Sequence, residues 1–260
     1  MLRSRITPCL LLQDNGLVKT TQFKDPKYVG DPINAVKIFN EKEVDELIIL
    51  DIDASVRKKE PNYNLIKYIA NESRMPLCYG GGIKNANQAK RIISLGVEKI
   101  SISSHAIENL DSLREITKAV GRQSVVVVLD IKKNLWGKYE IFTENAKKKS
   151  KESLSSVLHK IEELGVGEVL INSIDRDGTM KGYDIELVKI FRNKLTCPIS
   201  VLGGAGSFEH IEKLVEQYNI IGACVGSMFV FKGRYRAVLI SYLNKTQREN
   251  IMLKQFKNKR

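Results

Sequence analysis

The residues of this chain best suited to chemistry stand in two glycine turns, each placed after an apolar run. Pro198 to Gly206 reads PISVLGGAG: the run 199–202 breaks into Gly203-Gly204-Ala205-Gly206, and a helical pattern follows over 208–218. Strand, glycine turn and helix start bring backbone N–H groups close to an anion, with no Cβ in the way and the positive end of a helix dipole behind them. Alone, such a turn is commonplace. A sister copy lies half a chain length earlier, at Pro76-Leu77-Cys78-Tyr79-Gly80-Gly81-Gly82-Ile83. Two matched turns predict two phosphate sites, and so a ligand with a phosphate at each end. Ser103-Ser104 and Gly226-Ser227 follow the next apolar run in each half, where N–H groups and hydroxyls can add charge-assisted hydrogen bonds. Asp177-Gly178 joins them from the loop 175–179. Asp130, ending the β-branched run 125–129, is the candidate general acid or base; the bland alternative is a carboxylate that caps the next loop.

These groups need a frame that brings them to one place. Apolar runs at 6–12, 46–51, 77–79, 99–102, 125–129, 168–172, 199–202 and before Cys224-Val225-Gly226 alternate with helical patterns, one unit every 30 residues or so. The runs are near-continuous rather than alternating, as parallel strands covered on both faces require. Asp31-Pro32 opens one helix in cap fashion, Ser153 and Asp184 cap two others, and Gly96 stops a fourth. The segment 13–30 reads as a long polar loop, 139–142 as a hairpin added to the loop before it, and 235–243 as the closing helix. Eight units with no sheet-edge pattern predict a (β/α)8 TIM barrel made of two similar half-barrels. A length of 260 residues suits one such domain of about 250. The expected organisation is one domain over 1–250 and a basic tail over 251–260. In such a barrel, active groups sit at the C-terminal strand ends.

Composition narrows the partners. The net charge is +12, but much of the excess lies in Lys147-Lys148-Lys149 and in the tail, without the aromatic–basic interleaving of an RNA-binding sheet. Clefts that attract anionic small molecules are expected, and no nucleic acid. No apolar run approaches 18 residues, and the N-terminus runs straight into a strand, so neither a membrane partner nor a leader is expected. The four cysteines fall in or beside strands with no C-x-x-C pair, and the three histidines are dispersed. Reduced core thiols in a cytoplasmic protein, with no metal and no cofactor, are the expectation.

Several motifs together carry a resemblance: Arg5-Ile6-Thr7-Pro8-Cys9-Leu10, Val18-Lys19, Gly30-Asp31-Pro32, Asp45-Glu46-Leu47, Gly80 to Ile83, Lys99-Ile100-Ser101-Ile102, Asp130, Asp175-Arg176-Asp177-Gly178-Thr179, Gly182-Tyr183-Asp184 and Gly203 to Gly206. Over nearly its full length the chain resembles the HisF family, the cyclase subunit of imidazole glycerol phosphate synthase. The resemblance implies a barrel paired with a HisH-like glutaminase, whose ammonia crosses the barrel to a bisphosphate substrate. It implies lyase and cyclase chemistry by two aspartates on strands one and five, and a substrate loop carrying Lys19. Arg5, Glu46, Lys99 and Glu168 match the family's ring of charges at the ammonia entrance.

The departures matter as much. Asp130 is present, but the strand-one aspartate is replaced by Leu11, which can carry no proton; Asp14, three residues on, is no substitute. Ser103, Asn172 and Leu202 stand where the family usually has Asn, Thr and Ser. With its opening PCLLLQDNGLVKT, the chain is similar to HisF paralogues of the WbuZ type. That resemblance implies a separate N-acetyl-sugar amidotransferase as a further partner, in the amidation of surface-polysaccharide sugars. An authentic cyclase that tolerates Leu11, and a non-catalytic phosphate-binding scaffold, are the other readings.

Overall fold

The computed structural model describes residues 3–257. Eight parallel strands close on themselves: β1 (Arg5–Gln13), β2 (Leu47–Asp51), β3 (Leu77–Gly80), β4 (Lys99–Ile102), β5 (Val125–Lys133), β6 (Glu168–Ser173), β7 (Ile199–Leu202) and β8 (Gly222–Val225). Each pairs with the next, and β8 pairs with β1 through Arg5–Gly222 to Pro8–Val225, so the sheet has no free edge. The (β/α)8 barrel is therefore the fold. Among the described residues, eight longer helices cover it, α1 (Pro32–Glu41), α2 (Tyr63–Glu72), α3 (Ala86–Ser94), α4 (Leu110–Val120), α5 (Leu154–Leu164), α6 (Ile185–Arg192), α7 (Phe208–Tyr218) and α8 (Lys245–Lys257), with short helical turns at Ser104–Glu108 and Ser227–Val230.

Strand periodicity sorts the core into two compartments. On β1, Ile6, Leu10 and Leu12 point outward and pack with helix residues such as Phe39 and Ile251, while Cys9 and Leu11 point into the barrel. The inner cluster is small and apolar: Cys9, Ile48, Cys78, Val126, Val128, Leu170, Leu202 and Cys224, flanked by Leu11 and Leu50. Side chains from every strand but β4 fill the middle of the barrel with apolar groups.

Caps fix where the helices begin. Asp31 accepts from the Asn34 N–H with Pro32 at the first helical position, Ser153 accepts from the Ser156 N–H, and Asp184 from the Leu187 N–H. Each such cap is worth about 1 kcal/mol. Three readings of the sequence change. The loop 13–30 is a β-hairpin, Gly16–Thr21 against Lys24–Gly30. The span 235–243 is not a helix, because Arg236 adopts φ 51° and 237–238 pairs back onto 231–232; the closing helix comes later, as α8. The tail expected from 251 is helical to 257, with Ile251 buried and the Gln255 Oε1 accepting from the Ser4 N–H at 3.0 Å; residues 258–260 lie outside the described residues. The hairpin expected at 139–142 is present, as Tyr139–Thr143 paired with the end of β5. Among the described residues no helix is long and apolar enough to cross a membrane.

Candidate functional site

The N-terminal floor of the barrel carries four charges. Arg5 begins β1, Glu46 immediately precedes β2, Lys99 begins β4 and Glu168 begins β6. Arg5 meets Glu46 at 3.1 Å and Glu168 at 2.7 Å; Lys99 meets Glu46 at 2.8 Å and Glu168 at 3.2 Å. The signs alternate round a closed ring, and both carboxylates are buried. Burial opposes charge at Glu168, yet Arg5, Lys99 and a hydrogen bond from the Ser200 hydroxyl together hold its pKa below the ordinary value. At Glu46 burial outweighs the same two cations, and the pKa rises. Hydrogen bonds from Ser200 and Arg5 go to Glu168 alone, while the neighbouring Glu168 charge pushes Glu46 further up. Ser200 is a floor residue that the sequence reading missed; its signal was its inward register on β7, two residues before Leu202.

At the opposite end, two cavities meet across Leu11, Leu202 and Asp177, which line both. The larger is about 840 Å3 with its open mouth, and is bordered by Gly81, Gly82, Ser103, Ser104 and Asp130. The smaller, about 370 Å3, is bordered by Lys19, Asp177, Gly178, Gly203, Gly204, Gly226 and Ser227. The candidate phosphate residues thus divide into two groups on either side of Leu11. Gly80 ends β3 and Gly203 follows β7, four strands apart, the spacing that two tandem half-barrels would give.

The glycines answer to backbone crowding as well as to any ligand. A Cβ on Gly204 (φ 105°) would lie 2.1 Å from the Gly182 carbonyl oxygen, and one on Gly178 (φ 65°) would lie 2.2 Å from that of Thr20. Both positions combine a left-handed backbone with a contact no side chain can make. Ser103 and Ser104 are partly engaged elsewhere: the Ser103 hydroxyl donates to Asp130 at 3.2 Å, and the Ser104 hydroxyl accepts from the Glu144 N–H at 2.9 Å. Lys19 is buried, its ammonium donating to the Cys9 carbonyl oxygen; burial pulls its pKa down, and nearby Asp177 partly restores it.

Asp130 sits at the inner wall of the larger cavity. Burial pushes its pKa up to about 6, although Asn172 donates to it at 2.8 Å and Ser103 adds a second bond; Asp177 contributes a further push upward. The Asn172 amide oxygen, Oδ1, is buried and without a partner among the described residues, an acceptor available to a ligand hydroxyl or amine. Leu11, Leu50, Val128 and Leu202 form the apolar wall beside the carboxyl group. Asp14 lies outside this arrangement: it is tied to Arg57 on the surface, as a group at the strand exit should be.

Two carboxylates that were not among the candidate acids also border the larger cavity. Asp51 ends β2 and accepts from the Asp53 and Ala54 N–H groups, each at 3.0 Å. Asp177, considered only for phosphate, accepts from the Thr20 hydroxyl at 2.7 Å and the Phe23 N–H at 3.1 Å, so it also anchors the β1 hairpin. Burial raises the pKa of both.

Because the folded Asp130 pKa lies above the unfolded carboxyl value, the native state binds the extra proton between about pH 4 and 6. Its ionisation therefore costs stability as pH rises through that window, and the cost is fully present above pH 6. A 13C carboxyl titration should show one Asp midpoint near 6, and Asp177→Asn should move that midpoint down. A midpoint in the ordinary aspartate range would overturn this account of the site.

The geometry can be set beside known proteins. The model for the histidine biosynthesis protein family matches residues 5–236. A Leptospira borgpetersenii protein provisionally named imidazole glycerol phosphate synthase subunit HisF is 56% identical over 96% of this chain and 98% of its own length. A Pseudomonas aeruginosa protein, provisionally named as another such HisF subunit, is 52% identical over 93% of this chain and 96% of its own. The imidazole glycerol phosphate synthase subunit HisF of Methanococcus vannielii is 34% identical over 96% of this chain and 98% of its own. With a closed barrel, a ring of four charges on its floor and two glycine-lined cavities at its mouth, the chain belongs to the histidine biosynthesis protein family and is a HisF-like member of it.

Proposed function

We propose that this chain is the barrel subunit of a glutamine-dependent synthase that conducts ammonia without closing an imidazole ring. A HisH-like glutaminase delivers ammonia to the charge ring, ammonia crosses the apolar middle of the barrel, and a separate N-acetyl-sugar amidotransferase uses it on a surface-polysaccharide sugar. This is the role of a WbuZ-type HisF paralogue in the cytoplasm. The observation that carries the reading is Leu11, which stands between the two cavities where a proton carrier would be needed, above a floor whose four charges are all paired. A phosphorylated small molecule, held by Gly81, Gly82 and Ser104 on one side and by Lys19, Gly203, Gly204 and Ser227 on the other, serves this chain as a bound effector. Identity supports the paralogue reading too: 52–56% to provisionally named HisF proteins against 34% to the Methanococcus subunit.

A second reading, an authentic cyclase, is favoured by one observation: Asp51 and Asp177 border the same cavity as Asp130. In that reading one of them takes the place of the missing proton carrier. The discriminating experiment supplies the purified chain with the bisphosphate substrate of imidazole glycerol phosphate synthase and ammonium at alkaline pH. The expected result is no ring-closed product, while addition of the chain stimulates a HisH-like glutaminase. Robust product formation from free ammonia would return the chain to histidine biosynthesis.

A further inference from the structure

Two hairpins on the mouth side of the barrel carry large apolar side chains at their tips. In the first, Lys132-Lys133-Asn134-Leu135-Trp136-Gly137-Lys138, Leu135 is 99% exposed and Trp136 89%. The turn is not loose. The Asn134 side chain accepts from the Trp136 N–H at 3.0 Å and the Lys138 N–H at 2.9 Å, and the Asn134 N–H donates to the Lys138 carbonyl at 2.9 Å. The pair is thus held out into water by its own backbone. In the second, Phe231–Lys232 pairs with Ala237–Val238, and Tyr235 at the tip is 89% exposed. This hairpin too is fastened: the Arg236 guanidinium donates to the Gly178 carbonyl and lies 5.4 Å from the centre of the Phe231 ring.

The charge around both tips has one sign. Lys132, Lys133 and Lys138 flank Trp136, and Lys232 and Arg234 flank Tyr235, all exposed; neither 132–138 nor 231–238 contains an acidic residue, and Glu140, behind the first tip, is paired with Lys149 at 2.8 Å. The hairpins follow β5 and β8, three strands apart in a closed ring, so they stand on different sides of the mouth. The loop after β6 joins them into one face: Asp175 accepts from the Lys133 N–H at 2.7 Å, and Gly178 from Arg236.

Steering of an anionic ligand into the cavities accounts for the lysines. It does not account for a tryptophan and a tyrosine fixed in water at the tips, which are the residue types that anchor interfaces. We infer that this rim is the docking surface for a protein with an acidic face, seated over the mouth and gripped by Trp136 and Tyr235. Under the conduit reading that protein is the enzyme that consumes the ammonia, and covering the mouth keeps the ammonia from bulk water. The docking itself rests only on exposure, rigidity and charge.

The test places the photo-crosslinker p-benzoylphenylalanine at position 136, 235 or, on the barrel floor, at exposed Glu98, in the host cell with the full chain. Positions 136 and 235 should trap one and the same protein, through an Asp/Glu-rich surface, and position 98 should trap a different one. That protein, purified, should bind the wild-type chain with an affinity that falls steeply with salt, and at least tenfold more weakly after Trp136→Ala or Lys132→Glu with Lys133→Glu. Cross-links from 136 and 235 to different proteins, to a second copy of this chain, or to none would overturn the inference. So would unchanged affinity in the variants, or Trp136-dependent binding to phosphatidylglycerol vesicles in place of a protein. Failure at 136 and 235 with a glutaminase trapped at 98 sinks the docking and leaves the conduit reading standing; the converse result does the opposite.

Discussion

Replacing Leu11 by Asp should switch on ammonia-dependent formation of the imidazole ring by a factor of roughly 10²–10⁴ over the Leu11→Asn control, the usual contribution of one positioned acid or base. The two substitutions have the same shape and remove the same apolar wall between the cavities, so their difference isolates the proton. The new carboxylate would share the larger cavity with Asp130, whose pKa is already raised to about 6 by burial. Two such groups repel, so the pair should titrate in two macroscopic steps, the upper one above 6. The assay is ring-closed product against time with ammonium as nitrogen source, alongside a carboxyl titration. If the Asp and Asn variants are equally inert, the missing proton carrier is not what separates this chain from a cyclase, and the changes at Ser103, Asn172 and Leu202 become the reason.

The second large effect belongs to the floor. Lys99→Met leaves Glu46 and Glu168 buried on either side of a neutral side chain, with Arg5 as their remaining cation. Removing one partner of a buried ionic network costs about 3–5 kcal/mol, because the surviving charges stay desolvated. For a domain of this size that lowers the melting temperature on the order of 10 °C. The loss should depend on pH with a definite sign. The folded pKa of Glu168 is depressed, so its pairing stabilises above the ordinary carboxylate range and is lost as pH falls; that of Lys99 is raised, so its pairing persists until pH climbs through the folded lysine value. The wild-type advantage over Lys99→Met should be widest between those limits. Assayed well below its melting temperature, the variant should also uncouple glutamine hydrolysis from ammonia delivery. Unaltered coupling would leave the ring a purely structural clasp and remove the main support for conduction through it.

The parts of the molecule visible in the sequence are those decided locally. Continuous apolar runs gave the barrel strands, since parallel strands buried on both faces need no alternation. Asp31, Ser153 and Asp184 marked helix starts because a cap is an interaction over three residues. The parts that escaped are decided by distant partners. The hairpin over 16–30 turns at Gln22 and Phe23 in left-handed conformations without glycine, and it is held by Asp177, more than half a chain away. The run 235–243 looks helical, yet Arg236 breaks it and reaches Gly178 instead. At the site, glycine turns and Asp130 could be singled out by type. The second role of Asp177, and the bond that makes Ser200 part of the floor, depend on which strands become neighbours, and no spacing encodes that.

Burial lifts all four thiols away from the reactive thiolate, but Cys9, Cys78 and Cys224 lie walled into the apolar middle of the barrel, while Cys197 is only partly covered at the outside. Alkylation of the inner three needs the staves to part, whereas Cys197 can react from the closed molecule. The ratio of slow to fast modification is thus a built-in gauge of how often the cylinder breathes, readable by mass spectrometry without any engineered label.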